Sequence, residues 1–331
     1  MKISVVVCTR DRPDMIGTAI ESIAECEYPN FDIHIMDQST NTQTKEIIEN
    51  ICAKLQGAPP INYHFLEKAG LSRAYNSGIR VSDGDIVAFS DDDCILPKDW
   101  LSLIEREFVS DPEVDLLYGQ VMIPKSLMED AMTGKIIVPC LQFKRERLSL
   151  KDNFHVIGMG ANMAIRRRIV AKVKGFDEAL GGGGPLRSAQ DYDFAYRTYK
   201  FGSAIILAPE VLADHYGTRL PEQWPVTSQN YGIGDGAFYA KHIRCGDIKA
   251  FWMLTKLIAR SWAKELKSIL TTGKWNKDLY GRFLFKGVKE ASKFGIDKTF
   301  RLYVETEHGK MTVTNANAVT AATKDSSSTG S

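Results

Sequence analysis

The sequence predicts an α/β protein: a doubly wound, mostly parallel sheet followed by a C-terminal helical extension. Three observations lead there. Strand-like and helix-like segments alternate four times in the first 90 residues, as crossover helices between parallel strands require. The strand-like runs are short, uncharged and rich in Val and Ile, the composition of strands covered on both faces. Beyond residue 248 the alternation gives way to a long amphipathic helical pattern studded with lysine.

Ile3 to Cys8 is an apolar, valine-rich run and predicts the first buried strand. Thr9 to Asp14 is a polar turn with Pro13, after which Met15, Ile16, Ala19, Ile20 and Ile23 recur at helical spacing. Phe31 to Met36 predicts a second strand that ends in Asp37-Gln38-Ser39-Thr40. Lys45 to Leu55 predicts a helix with Ile47, Ile48, Ile51 and Leu55 on one face. Ile61 to Leu66 follows as a strand, Ala74 to Val81 as a helix, and Ile86 to Ser90 as the fourth strand after the turn signal Asp83-Gly84-Asp85. No GxGxxG follows the first strand, which disfavours a dinucleotide site.

Trp100 to Val109 predicts a helix, and Leu116 to Ile123 a further strand. Residues 124 to 155 have weak periodicity and predict no defined element. GMGANMAIRRRIV, residues 158 to 170, is a glycine-rich entry into a strand and then a basic helix start. Gly181 to Gly184 predict a flexible loop, either a connector or a mobile lid. Gln190 to Lys200 predicts a helix with Asp191 in its first turn. There the helix dipole favours an ionised carboxylate by about 0.3–1 kcal/mol, and an N-cap role is the plain reading. Ala204 to Leu207 is one more strand, and Asp214-His215-Tyr216 comes soon after. His215 gains functional weight only if the fold returns it to the acidic cluster at the end of the fourth strand.

That cluster is Asp91, Asp92 and Asp93, where open α/β sheets place their ligands. Two like charges about 4 Å apart repel by about 1 kcal/mol in water and about 4 kcal/mol near a protein surface. A divalent cation would relieve that repulsion, since carboxylate oxygens suit Mg²⁺ or Mn²⁺. A solvated acidic turn capping the next helix is the alternative.

The 331 residues are 44% hydrophobic and 25% charged, a soluble globular composition with room for one large domain or two ordinary ones. Charge is unevenly spread. Residues 241 to 301 hold fifteen Lys or Arg against five Asp or Glu, or +10, which leaves −9 for the rest of a chain of net charge +1. Such a segment predicts a partner. In it Ile248, Phe251, Trp252, Ile258, Trp262 and Ile269 fall at helical spacing, with Lys249, Lys256, Arg260, Lys264 and Lys267 between them. The pattern suits an anionic membrane surface reached through 248–301, and equally a helix packed on its own domain. No apolar run approaches 18 residues. Cys8, Cys26, Cys52, Cys94, Cys140 and Cys245 include no CxxC pair, and Met1 opens almost directly into a strand. Reduced thiols, a cytoplasmic location and no signal peptide are expected. The last ten residues are expected to be disordered.

Taken together, these stretches resemble the family 2 inverting glycosyltransferases, which have the GT-A fold. Four segments match in order: VVVCTRDRPDM (5 to 15), MDQST (36 to 40), GLSRAYNSGI with GDIVAFSDDD (70 to 93), and GMGANMAI, GFDEALG, QDYDFAYR and DH (158 to 215). The resemblance covers residues 1 to 235. It implies a GT-A domain over 1–235, with a nucleotide-sugar half (1–123) and an acceptor half (124–235). A basic helical extension (236–305) and a tail (306–331) follow. It also implies transfer of a sugar, with inversion, from a nucleotide-sugar donor to a glycan or lipid-linked acceptor in cell-surface polysaccharide or glycan assembly, with a divalent metal, Mn²⁺ or Mg²⁺. Nucleotide-sugar contacts fall to Thr9, Arg12, Asp37, Arg73, Asp91 and Asp92, and metal ligation to Asp91, Asp93 and His215. Asp191 becomes the general base, with Gly160, Asn162 and Gln190 on the acceptor side. Gln190 stands where the family usually has Glu, and Tyr75 where many members have Arg before Asn76, so that Arg73 takes over the diphosphate contact. Gln223-Trp224 lacks the spacing of the QxxRW motif of processive synthases, which implies addition of one sugar or a few.

Two other function classes compete. A sugar nucleotidyltransferase would need a glycine-rich, lysine-bearing loop after the first strand, and CTRDRPD has no glycine. A non-catalytic, membrane-associated binding protein on the same fold is allowed by Gln190, but Asp91, Asp93, Asp191 and His215 count against it. Nucleic-acid binding is disfavoured, because the aromatics of the basic segment sit at helical packing positions and no recognition module is present.

Overall fold

A computed structural model of the protein describes residues 1–55, 57, 59–148, 158–273, 280–307 and 310–312. Residues 1–123 comprise β1 (Ile3–Thr9), α1 (Pro13–Ala24), β2 (Phe31–Asp37), α2 (Gln43–Lys54), β3 (Ile61–Phe65), α3 (Leu71–Val81), β4 (Ile86–Asp91), β5 (Cys94–Ile95), α4 (Trp100–Ser110) and β6 (Val114–Met122). There follow α5 (Met128–Met132), β7 (Glu146–Arg147), β8 (Asn162–Arg166), α6 (Ile169–Val173), α7 (Gln190–Lys200) and β9 (Ala204–His215). Three helices come next: α8 (Trp224–Arg244), α9 (Ile248–Thr272) and α10 (Tyr280–Ala291). A small sheet of β10 (Gly295–Asp297), β11 (Leu302–Glu307) and β12 (Lys310–Thr312) completes the described residues.

Strand periodicity explains the layering. In β1, Ile3, Val5 and Val7 enter one core, where α1, α2 and α4 bury Ile16, Ile20, Ile48, Trp100 and Ile104. Val6 points the other way, into a core shared with Ala74 of α3, Phe194 of α7 and Phe238 of α8. The sheet order is β3-β2-β1-β4-β8-β6-β9-β5, with β7 on β9. Strands β1 to β4 pair in parallel, and β6 pairs in parallel with β9. β8 runs antiparallel between β4 and β6.

Several boundaries differ from those read in the sequence. β9 continues to His215 instead of ending at Leu207. The interruption at Pro209 and Glu210 is a bulge, where Gly119 pairs with Ala208 but Gln120 pairs with Leu212. α8 passes unbroken through residue 235, and Gly232 to His242 are buried, so this stretch belongs to the core rather than to an appended segment. Close crossing of α8 and α10 requires glycine: a Cβ on Gly287 would lie 2.0 Å from the Ile233 carbonyl oxygen. The Gly181–Gly184 segment is tied down. The Gly181 amide donates to Ser188 O (3.1 Å), the Gly184 amide to Gly181 O (2.9 Å), and Gly182 O accepts from the Leu71 amide (2.8 Å). Between 124 and 148, where no element was expected, lie α5 and the short β7. The last ten residues fall outside those described.

A fully buried charge cluster fastens α7 to α8. Asp193 accepts from Arg197 Nε (2.8 Å) and lies 2.6 Å from Lys241 Nζ, which also lies 2.6 Å from Asp177. Two carboxylates and two cations balance, as charges removed from water must. The Tyr303 amide of β11 donates to Asp177 (2.9 Å), which draws the C-terminal strand into the same core.

Candidate active site

β4 delivers its acidic terminus to the edge of a cavity, and β1 supplies the groups that hold it. Thr9 Oγ1 donates to Asp92 Oδ2 (2.6 Å). Arg12, just before α1, donates through one nitrogen to Asp92 Oδ1 (2.6 Å) and through the other to Asp93 Oδ2 (2.5 Å). One guanidinium therefore spans two carboxylates and offsets their repulsion. Burial still pushes Asp92 up to about 6, against the pull of Arg12 and Thr9. Burial also acts on Asp93, but the neighbouring His215 and Arg12 bring it down to about 2. Asp91 is pushed up to about 7 by burial and then by Asp93, against the pull of His215.

The bulged β9 brings His215 opposite Cys94. His215 Nε2 lies 3.3 Å from Asp93 Oδ1, and its Nδ1 is buried with no hydrogen-bond partner. Gly217 keeps that corner open, since a Cβ there would lie 2.3 Å from Asp93 Oδ2. Donor atoms of Asp93, Cys94 and His215 lie within 4.8 Å of one another. Burial raises the Cys94 thiol well above its ordinary value, which leaves it protonated and a poor ligand. A carboxylate, an imidazole with a spare nitrogen and an open corner are a donor set that would fit Mn²⁺ or Mg²⁺. Asp91, expected as a third ligand, is not part of this cluster and lines the cavity instead.

The cavity encloses about 530 Å³. Asp91 and His215 line it together with Tyr75, Gly160, Gln190, Asp191, Tyr231, Asp235 and Tyr280. Asp191 sits in the first turn of α7. Tyr118 OH donates to its carbonyl oxygen (2.9 Å), and the Gly160 amide donates to its Oδ2 (3.1 Å). Its Oδ1 is buried without a partner. Burial raises the Asp191 carboxyl to about 6, and hydrogen bonds from Gly160 and Gln190 limit the rise. The Tyr75 hydroxyl is also buried and partnerless. A Cβ on Gly160 would lie 2.5 Å from that hydroxyl and 3.0 Å from Asp191 Oδ1, so both oxygens border the space that the glycine leaves empty.

Three more of the expected site residues have partners within the protein. Asp37 is fully buried and accepts from the Ser39 amide and Tyr63 OH, both at 2.8 Å. Arg73 donates through Nε to Glu178 (3.2 Å), a carboxylate shared with Asn76. Asn162 is not at the acceptor side of the cavity. It accepts from Trp100 Nε1 (2.9 Å) and donates to Gln120 O (2.8 Å) and Val211 O (3.0 Å), bracing the sheet. Sequence reasoning missed the α8–α10 wall, where Tyr280 OH donates to Asp235. These two are 45 positions apart and carry no local motif.

The family model of Glycosyl transferase family 2 matches residues 4–174. Among curated proteins, the amylovoran biosynthesis glycosyltransferase AmsB of Erwinia amylovora is 27% identical over 238 residues, covering 70% of this chain and 75% of AmsB. Protein CgeD of Bacillus subtilis is 26% identical over 127 residues, covering 36% of this chain but only 29% of CgeD. The fold is similar to that of the mannosyltransferase PcManGT from Pyrobaculum calidifontis, solved in complex with GDP-Man and Mn²⁺. That likeness has a TM-score of 0.59 at 16% identity and covers 88% of this chain and 87% of PcManGT. With the matching family model spanning more than half its length and the GT-A arrangement of its sheet, this chain belongs to glycosyl transferase family 2 and is a glycosyltransferase.

Proposed function

We propose that the protein transfers a sugar from a nucleoside-diphosphate donor to an acceptor hydroxyl in a single, inverting displacement, with Asp191 as general base. The observation that carries this reading is Asp191 Oδ1, a buried carboxylate oxygen with no partner on the cavity that Asp91 and His215 also line. Above about pH 6 this carboxyl is ionised and can accept the proton of an incoming hydroxyl. General-base assistance of this kind contributes about 10²–10⁴-fold. The Gly160 amide holds Oδ2 and leaves Oδ1 for the reacting group.

Asp93 and His215 would hold a divalent ion, which when bound acts as a Lewis acid toward the diphosphate leaving group. Arg12 adds a fixed positive charge beside the same carboxylates, in surroundings where preorganised charge is worth more than in water. A single base that takes the acceptor proton while the diphosphate leaves is what a one-step, inverting displacement requires. The GDP-Man and Mn²⁺ of the PcManGT complex support a nucleotide-sugar donor and a divalent metal here. The likeness to AmsB, a biosynthetic glycosyltransferase, supports a place in polysaccharide or glycan assembly.

A thermal-shift screen of nucleoside diphosphates and their sugars tests this reading. At least one diphosphate should stabilise the protein in the presence of Mn²⁺. Absence of any shift across uridine, guanosine, thymidine, cytidine and adenosine diphosphates would overturn it.

A further inference from the structure

Helix α9 has two apolar faces. One packs on the domain, where Ala250 is fully buried and Leu254 nearly so. The other faces solvent: Ile248 is 72% exposed, Trp252 57%, Leu266 58% and Leu270 77%. At 100° per residue, Ile248 and Leu266 fall at the same angle, and Trp252 and Leu270 lie 40° round from them. These four side chains therefore form one stripe along a 25-residue helix about 37 Å long. Exposed Lys256, Arg260, Lys264 and Lys267 fall between 80° and 160° on the same scale, as a cationic band beside the stripe. No helix among the described residues is long and apolar enough to cross a membrane.

We infer that this outward face of α9 docks on an anionic phospholipid bilayer, with the Ile248–Leu270 stripe entering the interface and the lysine and arginine band meeting the headgroups. Charge complementarity selects this occupant. A protein partner would bury the apolar stripe without any need for a flanking row of cations, whereas a negatively charged lipid surface uses both. The membrane face would then lie one helix from the cavity. The Gly281 amide of α10 donates to Ser261 Oγ at the middle of α9 (2.9 Å), and the adjacent Tyr280 lines the cavity. None of the α9 residues in the stripe or the cationic band lines the cavity.

Vesicle flotation of the full chain tests the inference, with phosphatidylcholine alone and with phosphatidylcholine containing one third phosphatidylglycerol. The protein should float with the anionic vesicles, and binding should fall as salt is raised. The double variant Trp252→Glu/Leu266→Glu should lose binding. The triple variant Lys256→Glu/Lys264→Glu/Lys267→Glu should bind at least about tenfold more weakly. All three substituted lysines and both apolar residues are exposed, so an unchanged circular dichroism melt and unchanged nucleotide-dependent thermal shift separate loss of docking from loss of fold or of donor binding. No flotation at low salt, equal binding to both vesicle types, or a stable dimer through α9 that ignores vesicles would overturn the inference.

Discussion

Tyr75 and Asp191 present two buried, partnerless oxygens to the same bare backbone at Gly160. Buried polar atoms without partners cost stability, and on a cavity wall a bound hydroxyl or water would complete their bonding. Tyr75 is otherwise a packing residue, with its ring 4.9 Å from Phe89 and 5.0 Å from Phe176.

Tyr75→Phe removes the hydroxyl and keeps those ring contacts. The melting temperature should hold or rise, while kcat/KM falls by about 3- to 10-fold, the size of one hydrogen bond made in the complex. Steady-state kinetics beside a thermal melt check this. Unchanged kcat/KM would make Tyr75 a core residue only.

The rate should depend on pH through Asp191. Its carboxyl is raised to about 6, so it is protonated and inactive as a base below that value and ionised above it. Transfer at saturating donor should climb about tenfold per pH unit below about 6 and level off above it. A rate that is flat from pH 5 to 8 would contradict the assignment.

Metal-dependent donor binding should require Asp93. Calorimetry of the nucleoside diphosphate should show tighter binding with Mn²⁺ than without it, and Asp93→Ala should erase the difference. Equal affinity with and without Mn²⁺ in both proteins would remove the metal from this site. Arg12, which contacts Asp93 and Asp92 together, remains beside Asp92 in the variant, so its positive charge is not lost with the carboxylate.

The charge cluster between α7 and α8 should be worth much more than a surface pair. Lys241→Met strands Asp177 and Asp193 in the core with Arg197 as the remaining cation of the four-group cluster. A loss of about 3–5 kcal/mol is expected from urea unfolding. A loss below about 1 kcal/mol would show that the cluster relaxes or admits water.

Much of the fold was legible because strand and helix periods differ. β1 to β4 and the helices between them carry unbroken apolar runs and clear amphipathic faces, so type and order could be read, with boundaries moving by a few residues. The Asp91–Asp93 terminus and the first-turn position of Asp191 were legible for the same reason, since each is fixed by its own strand or helix. What could not be read depends on distant contacts. The Pro209–Glu210 bulge breaks the pattern of β9, so the pairing of His215 with Cys94 emerges only when β5 and β9 meet. The resemblance gives Arg73 a diphosphate contact, and no local signal announces that its Nε bonds Glu178, 105 positions away. Asn162 looked like a cavity residue, but its amide is spent on Trp100, Gln120 and Val211. The basic segment posed a choice between packing and exposure, and α9 does both on different faces.

The role of Asp191 is the central claim, and Asp191→Asn tests it with almost no change of shape. The Gly160 amide can still donate to the new side-chain oxygen, so donor binding by calorimetry should stay within about twofold of the parent. Single-turnover transfer should fall by at least about 10²-fold. Parental donor affinity combined with transfer within a few-fold of the parent would contradict the account.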